Sequence, residues 1–504
     1  MNQQEAIRSL EAIDREYVLL SHISGVLVWD QEQVPPAGAE ERATQLGLLD
    51  RKMYELTASD TVGEILDALG ASDVAEAGDP SLDERTGALV RHYWENWNRQ
   101  RKLDADFVQQ FSELTGRAHQ IWAQARQDDD FSLYEPTLSE IIELVRQKAQ
   151  RFGYTDDPYD PLLNVFEPGT TTAEVSQVFS AMQKDILEVL EYVREEHAAI
   201  DDSFLSQSFP QDKQAAFAHD ILDAMGYDWN RGVSGIATHP YSISLGSDDI
   251  RITTRYTEPQ VTSPLFSSIH EAGHALYEMG ASNARTRGTS LANGASLAFH
   301  ESQSRLWENM VGRSKAFWSR FYPRLQHLFP LQLDKVDTEQ FYRAVNRVKP
   351  SCIRVDADEV TYGLHIILRF NLERQLLTGQ LEVSDLPDAW NTAMEVLLGI
   401  RPESDRTGVL QDIHWSMGEL GYFPTYALGN LYGAQILDTM QQDLPVDEVI
   451  GSGDFSPIRQ WLTDHILQHG AIYRPKDLLI KVSGHALDAR HFRDYLQRKY
   501  IGEN

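Results

Sequence analysis

The sequence predicts a mostly α-helical fold with one small β-ribbon. Three observations carry that expectation. Long stretches free of proline place apolar residues at helical spacing. Thr171-Thr172-Ala173-Glu174 is a capping box, the local signature of a helix start. Only one segment, residues 238–256, alternates with a period of two.

Along the chain, Asp83 to about Asp128 is a long helical stretch rich in charged and aromatic residues. Leu138–Phe152 and Thr172–His197 continue the pattern, and Pro158 and Pro168 punctuate the turns between them. None of these helices carries a catalytic constellation, so residues 1–200 are expected to be scaffold and one wall of a cleft. Residues 201–504 are expected to carry the chemistry, with the whole chain 1–504 as one large domain. No internal repeat or low-complexity segment interrupts it.

Thr238-His-Pro-Tyr-Ser-Ile-Ser-Leu, then Gly246-Ser-Asp-Asp, then Ile250-Arg-Ile-Thr reads as a hairpin. It is expected to offer an edge strand beside the cleft, able to pair with an extended peptide. Thr262-Ser263-Pro264 then reads as an N-cap followed by proline at the first helical position. Leu265, Ile269, Ala272, Leu276 and Met279 form a helical stripe, and Gly280 is a candidate terminator. A further helix is expected over Asn293–Met310.

Composition narrows the function classes. The 45 basic and 76 acidic residues leave a net charge of −31. That disfavours nucleic acid and anionic membranes as partners. It fits a strongly solvated surface, and also adaptation to high salt, which screens self-repulsion. The N-terminus shows no targeting signal, and no run approaches the ~18–20 apolar residues of a spanning helix. The single cysteine, Cys352, excludes an internal disulfide and fits a cytoplasmic setting.

Residues 270–274 read His-Glu-Ala-Gly-His. Positions i and i+4 share one helix face, so His270 and His274 can offer two imidazoles to one metal ion. Glu271 then sits where it can take a proton from a bound water, the ligand and base set of zinc peptidases. Gly273, costly in a helix interior, points to close approach of another backbone or of a substrate. Tyr277 and Gly280 stand where a metzincin has Gly and His, which excludes that class. Glu278 lies too far along the helix to close the site. Within Phe299-His300-Glu301-Ser302-Gln303, Glu301 is the preferred third ligand. His300 is the competing candidate, or else orients a ligand from behind.

These residues, taken with others, resemble the carboxypeptidase Taq family of metallocarboxypeptidases, over essentially the whole chain. His239-Pro240-Tyr241 resembles the family's His-Pro-Phe, with tyrosine replacing phenylalanine. Asp249-Ile-Arg251-Ile-Thr253 matches Asp-x-Arg-x-Thr, and 270–274 and 300–303 match its metal motifs. Ile353-Arg354-Val-Asp-Ala-Asp358 and Gly408-Val-Leu-Gln411-Asp412-Ile-His414-Trp415 match two more, and Trp29-Asp30-Gln31 with Pro35 is also similar.

The resemblance implies a helical peptidase fold with a deep groove, similar to neurolysin and angiotensin-converting enzyme. It implies release of single C-terminal residues from peptides, with broad preference and poor action at proline. It implies zinc or cobalt, and a homodimer. Likeness to related zinc peptidases makes His239 and either Tyr422 or Tyr426 candidate donors to the oxyanion. A terminal carboxylate calls for a guanidinium, with Arg354 the first candidate and Arg251 the second. Arg354 and Asp358 also have the spacing of a plain surface ion pair. Asp249, Gln411, Asp412 and His414 are expected around the substrate, with orientation of neighbouring side chains the alternative to direct contact for the two aspartates.

Overall fold

The computed structural model describes residues 1–33 and 35–502. Helix dominates, and the described strands form one three-stranded sheet. The expected 83–128 stretch is two helices, Glu84–Gln100 and Ala105–Asp128. The break falls where Asp104 accepts the N–H of Phe107 and starts a new helix, a capping signal inside the run. The Thr171 capping box is present, with Thr171 and Glu174 bonding each other's backbone N–H groups, and opens the Thr172–Ala198 helix.

The ribbon is larger than the hairpin expected. β2 (Ser242–Gly246) and β3 (Asp249–Thr254) pair antiparallel, and β1 (Ser234–Ile236) adds to the other side of β3 in parallel. The strand order is β1-β3-β2. The alternating arm is therefore central, and the edges are β1 and β2. Three residues of β1 are too few to show a period. Ile250 and Ile252 point into the main core, as the alternation required.

The Thr262–Ala281 helix follows directly. It begins two residues earlier than expected, at Thr262 and not at Pro264: Val261 occupies the N-cap position and makes no side-chain capping bond. Gly280 does not end it either. A Cβ there would come within 2.5 Å of Leu467 Cβ, so this glycine admits a neighbouring chain segment. The helix is sunk deeper than an amphipathic stripe implies, with Phe266, Ala275 and Tyr277 also buried. Both sides are covered because β3 packs on one side and the Leu297–Arg305 helix on another.

Behind that pair runs the Pro424–Asp443 helix, which packs most extensively on Leu297–Arg305. The Tyr362–Thr378 helix lies in the same core and is almost wholly buried. Each fully buried Leu or Ile contributes roughly 1.5–3 kcal/mol, so this centre is the stable part of the molecule. A smaller apolar cluster joins the Gln3–Trp29, Asp60–Ala68 and Glu84–Gln100 helices with Leu291 and Ile472. Asp14, buried in that cluster's neighbourhood, accepts from Tyr93 Oη and from Ser290 N–H. It thereby ties the first helix to the loop that joins the two helices of the site. Among the described residues no helix is long and apolar enough to cross a membrane.

Glu373 lies fully buried in the core and accepts from Tyr159 Oη (2.6 Å), Trp415 Nε1 (2.8 Å) and Gly421 N (3.2 Å). Burial outweighs those donors and pushes its carboxyl up to about 7. A folded-state value raised above the unfolded one gives stability that is full below about 4.5 and is lost as pH rises through about 7. Denaturant midpoints of wild type and Glu373→Gln between pH 4.5 and 7.5 check this. The wild type should lose stability relative to the variant as pH rises across that window, and parallel curves would contradict it.

Candidate metal centre

His270 and His274 lie one turn apart on the Thr262–Ala281 helix, and Glu301 reaches them from Leu297–Arg305. One donor atom from each lies within 4.8 Å of the others. Glu301 Oε2 is 3.8 Å from His270 Nε2 and 3.6 Å from His274 Nε2. Donors about 2.1 Å from a tetrahedral zinc stand ~3.4 Å apart. Two imidazole nitrogens and a carboxylate oxygen at these separations fit a divalent cation. His300, the competing ligand, instead bonds Glu278 and His274.

Glycine makes the geometry possible. A Cβ on Gly273 would sit 2.7 Å from Ser304 Cα and 3.0 Å from the Gln303 carbonyl. The expected close approach is thus backbone against side-chain-free helix, which brings His270 and His274 near Glu301. On the opposite side, a Cβ on Gly429 would fall 2.7 Å from Glu301 Cβ. The helix that carries Glu301 thus meets one glycine at Gln303 and Ser304 and another at Glu301 itself.

The charges around the donors are layered. His270 Nδ1–H donates to Glu308 Oε2 at 2.9 Å, which leaves Nε2 for the metal position. Glu308 also meets Arg305 and Arg313, which hold its carboxyl far below the usual range against the effect of burial. It sits on a π-helical segment, Leu306–Val311, where the Gly312 N–H reaches the Trp307 carbonyl. That wider turn ends the expected 293–310 helix and sets the direction of Glu308. Arg305 Nε donates to Glu301 Oε1 at 2.7 Å, and its guanidinium lies 4.4 Å from the Tyr362 ring centroid. Sequence reasoning missed Glu308, Arg305 and Gly429.

Burial lowers His274 well below the ordinary imidazole value, reinforced by the neighbouring His300 and His270. His270 moves the other way: burial opposes protonation, but Glu301 and Glu308 outweigh it. A negative potential at His270 is what a cation would meet there. Glu271 is buried, and burial pushes it up to about 7.

The remaining sequence-derived residues divide into groups. Arg354, Asp412, Gln411, His414, Tyr422 and Tyr426 come together. Arg354 Nε and Nη2 donate to Asp412 Oδ1 at 3.0 and 2.9 Å, and Nη1 donates to Tyr362 Oη at 2.9 Å. The surface pair with Asp358 does not form. Arg354 lies in a short 3₁₀ turn and is buried, while Asp358 accepts from Val360 and Thr361 N–H. Arg369 also binds Asp412, through Oδ2 at 2.7 Å. Two cations share one anion, which leaves a buried positive excess.

Gln411 is a clamp: its Oε1 accepts from Arg354 N–H, and its Nε2 donates to the Cys352, Thr407 and Gly408 carbonyls. Tyr426 Oη lies 3.4 Å from His414 Nε2, and its ring centroid 4.9 Å from the Arg354 guanidinium. Tyr422 and Tyr426 are both raised, first by burial, with the negative charge of Glu301 adding to it. Asp249 and Arg251 form a second group at the sheet. Their two bonds are each 2.7 Å, and Arg251 lies 5.1 Å over the Trp29 ring, beside Tyr241. His239 is exposed on the β1–β2 connection.

A helical scaffold with two histidines and a glutamate converging from neighbouring helices defines a metallopeptidase class. The family model for the carboxypeptidase Taq (M32) metallopeptidases matches residues 9–500, and the chain belongs to that family of metal-dependent carboxypeptidases. It is 37% identical to carboxypeptidase 1 of Bacillus subtilis (strain 168), over 95% of this chain and 96% of that protein. It is also 37% identical to thermostable carboxypeptidase 1 of Thermus thermophilus, over 99% of each. The crystal structure of the M32 carboxypeptidase from Deinococcus radiodurans R1 superposes with a TM-score of 0.93 at 37% identity, covering 98% of this chain and 99% of that one.

Gly429→Ala tests the close approach at Glu301. The added methyl should displace the carboxylate, lower the melting temperature through overpacking of about 1–3 kcal/mol, and weaken zinc uptake. Unchanged zinc content and melting temperature, by metal analysis and calorimetry, would contradict it.

Proposed function

We propose that His270, His274 and Glu301 bind zinc, with cobalt the other cation this donor set accepts, and that the enzyme releases single residues from peptide C-termini. Broad preference and poor action at proline belong to the same reading. The observation that carries it is the convergence of three donors from two helices, with Glu271 beside them on the first. When bound, the cation supplies Lewis acidity, polarising the scissile carbonyl and acidifying a solvent molecule.

Glu271 takes the proton of the attacking water and returns it to the amine nitrogen as the C–N bond breaks. Burial raises this carboxyl, which favours its holding the proton between the two transfers. Tyr422 and Tyr426 supply hydroxyl donors for the developing oxyanion, with His239 the donor from the sheet side. Arg354 receives the substrate's terminal carboxylate. Three of its five N–H donors are used within the protein, and Arg369 supplies the second positive charge on the shared Asp412. Arg251 is the second candidate, but its guanidinium already meets the Asp249 carboxylate with two bonds. Asp249, Asp412, Gln411 and His414 orient these groups. The chain acts as one catalytic unit, as a cytoplasmic homodimer, which sedimentation of the purified protein tests.

Glu271→Gln should keep full metal content and lose 10²–10⁴-fold in turnover, about what general acid–base groups contribute. Metal analysis beside a peptide digest reads both; retained turnover overturns the base assignment. Glu301→Gln should instead lose the metal.

A peptide should be cleaved about 10–100-fold faster than its C-terminal amide, the range for losing a charge-assisted hydrogen bond worth about 1.5–3 kcal/mol. Arg354→Gln should erase most of that difference by raising KM, with metal content unchanged. Equal cleavage of peptide and amide by the wild type removes carboxylate recognition from the reading.

A further inference from the structure

Glu278 and His300 make contacts that the reaction above does not use. Glu278 Oε1 lies 2.6 Å from His300 Nε2, and His300 Nδ1 lies 2.6 Å from His274 Nδ1. Two ring nitrogens so placed share one proton, one donating and the other accepting. An ionised carboxylate only accepts. With both rings neutral, His300 therefore carries its proton on Nε2 and presents a bare Nδ1. The shared proton then belongs to His274 Nδ1, and His274 Nε2 is left as a lone pair, 3.6 Å from Glu301 Oε2.

We propose that Glu278, acting through His300, fixes the tautomer of His274 and so prepares one of the three donors of the metal centre. The proposal rests on the metal-binding reading above. Glu278 and His300 are positioning residues in it, and neither touches the cation. A free histidine ring in water prefers its proton on Nε2, the form that cannot ligate through that atom. Each ligand histidine therefore needs a partner at Nδ1. His270 has one directly in Glu308. His274 has another imidazole there, which can act as acceptor only if a third group holds its own proton at the far end.

The surroundings keep the chain in register. Glu278 stands one turn beyond His274 on the same helix, and His300 directly precedes Glu301. The Tyr277 ring lies against His300, with centroids 5.2 Å apart and planes at 39°. A Cβ on Gly294 would come 2.8 Å from His300 Cδ2, so the loop backbone closes the other side. The ring has little room to turn over and exchange its nitrogens. The chain crosses from the first helix to the second and back, so each helix sets a donor on the other.

The test starts from the metal-free wild type with ¹⁵N-labelled histidine rings, at a pH above the imidazole range, with resonances assigned by substitution. His274 is expected with a protonated Nδ1 and a bare Nε2, and His300 with the reverse. A His274 ring protonated on Nε2 overturns the proposal. In Glu278→Gln, whose amide can donate to His300, and in His300→Phe, the His274 ring should shift toward the Nε2-protonated form. Zinc affinity by chelator competition should fall 10–100-fold, the usual cost of removing a group that orients a ligand. Glu278→Asp, which keeps the acceptor, should recover part of that loss. Unchanged zinc affinity in both Glu278→Gln and His300→Phe also overturns it. If the wild type takes up no zinc while its His274 ring shows the bare Nε2, the metal reading fails and the tautomer assignment stands.

Discussion

The contact between the two helices of the metal centre is the constraint on which the rest depends. His270 and His274 stand on one helix and Glu301 on the next, and the contact between the two helices sets the separation of the donors. Gly273 removes the side chain that would hold Ser304 away, and Gly429 removes the one that would collide with Glu301. The helix that carries Glu301 is therefore approached closely by two others, each through a glycine. The burial of the core behind them supplies the free energy that keeps them there.

Charge is arranged around this contact in alternating shells. The carboxylate of Glu301 is steadied by Arg305, and His270 by Glu308, which Arg305 and Arg313 hold ionised. Further along, Asp412 joins Arg354 to Arg369 and leaves a positive excess near Tyr426. A chain of net charge −31 thus holds buried cations set apart from buried anions. In a low-dielectric interior such separation holds only where each charge has partners, and these are tightly bonded.

Much of this was legible in the sequence because it is local. The i, i+4 histidines, the glutamate between them and the capping box of Thr171 each depend on a few neighbouring residues. Glu301 was legible for a different reason: the site needed a third ligand, and the next helix offered an acid. Gly273 announced a close approach by its cost alone. The boundaries were less readable. The first metal helix starts at Thr262 with Val261 before it, and no side chain caps its first turn. Arg354 looked like half of a surface pair because its true partner, Asp412, is 58 residues away. Glu308 could not be read because its partner His270 stands 38 residues away on another helix. Arg369 and Gly429 show no pattern until the fold brings them in.

The seam at Gly273 has a consequence for how the enzyme fails when heated. With main chain pressed on main chain, there is no rotamer in the seam that warming can free ahead of the rest. The backbones that carry the donors cannot shift apart without the two helices separating, and the helices cannot separate without opening the core. Thermal inactivation should accordingly coincide with cooperative unfolding, with no softened, catalytically dead form populated beforehand.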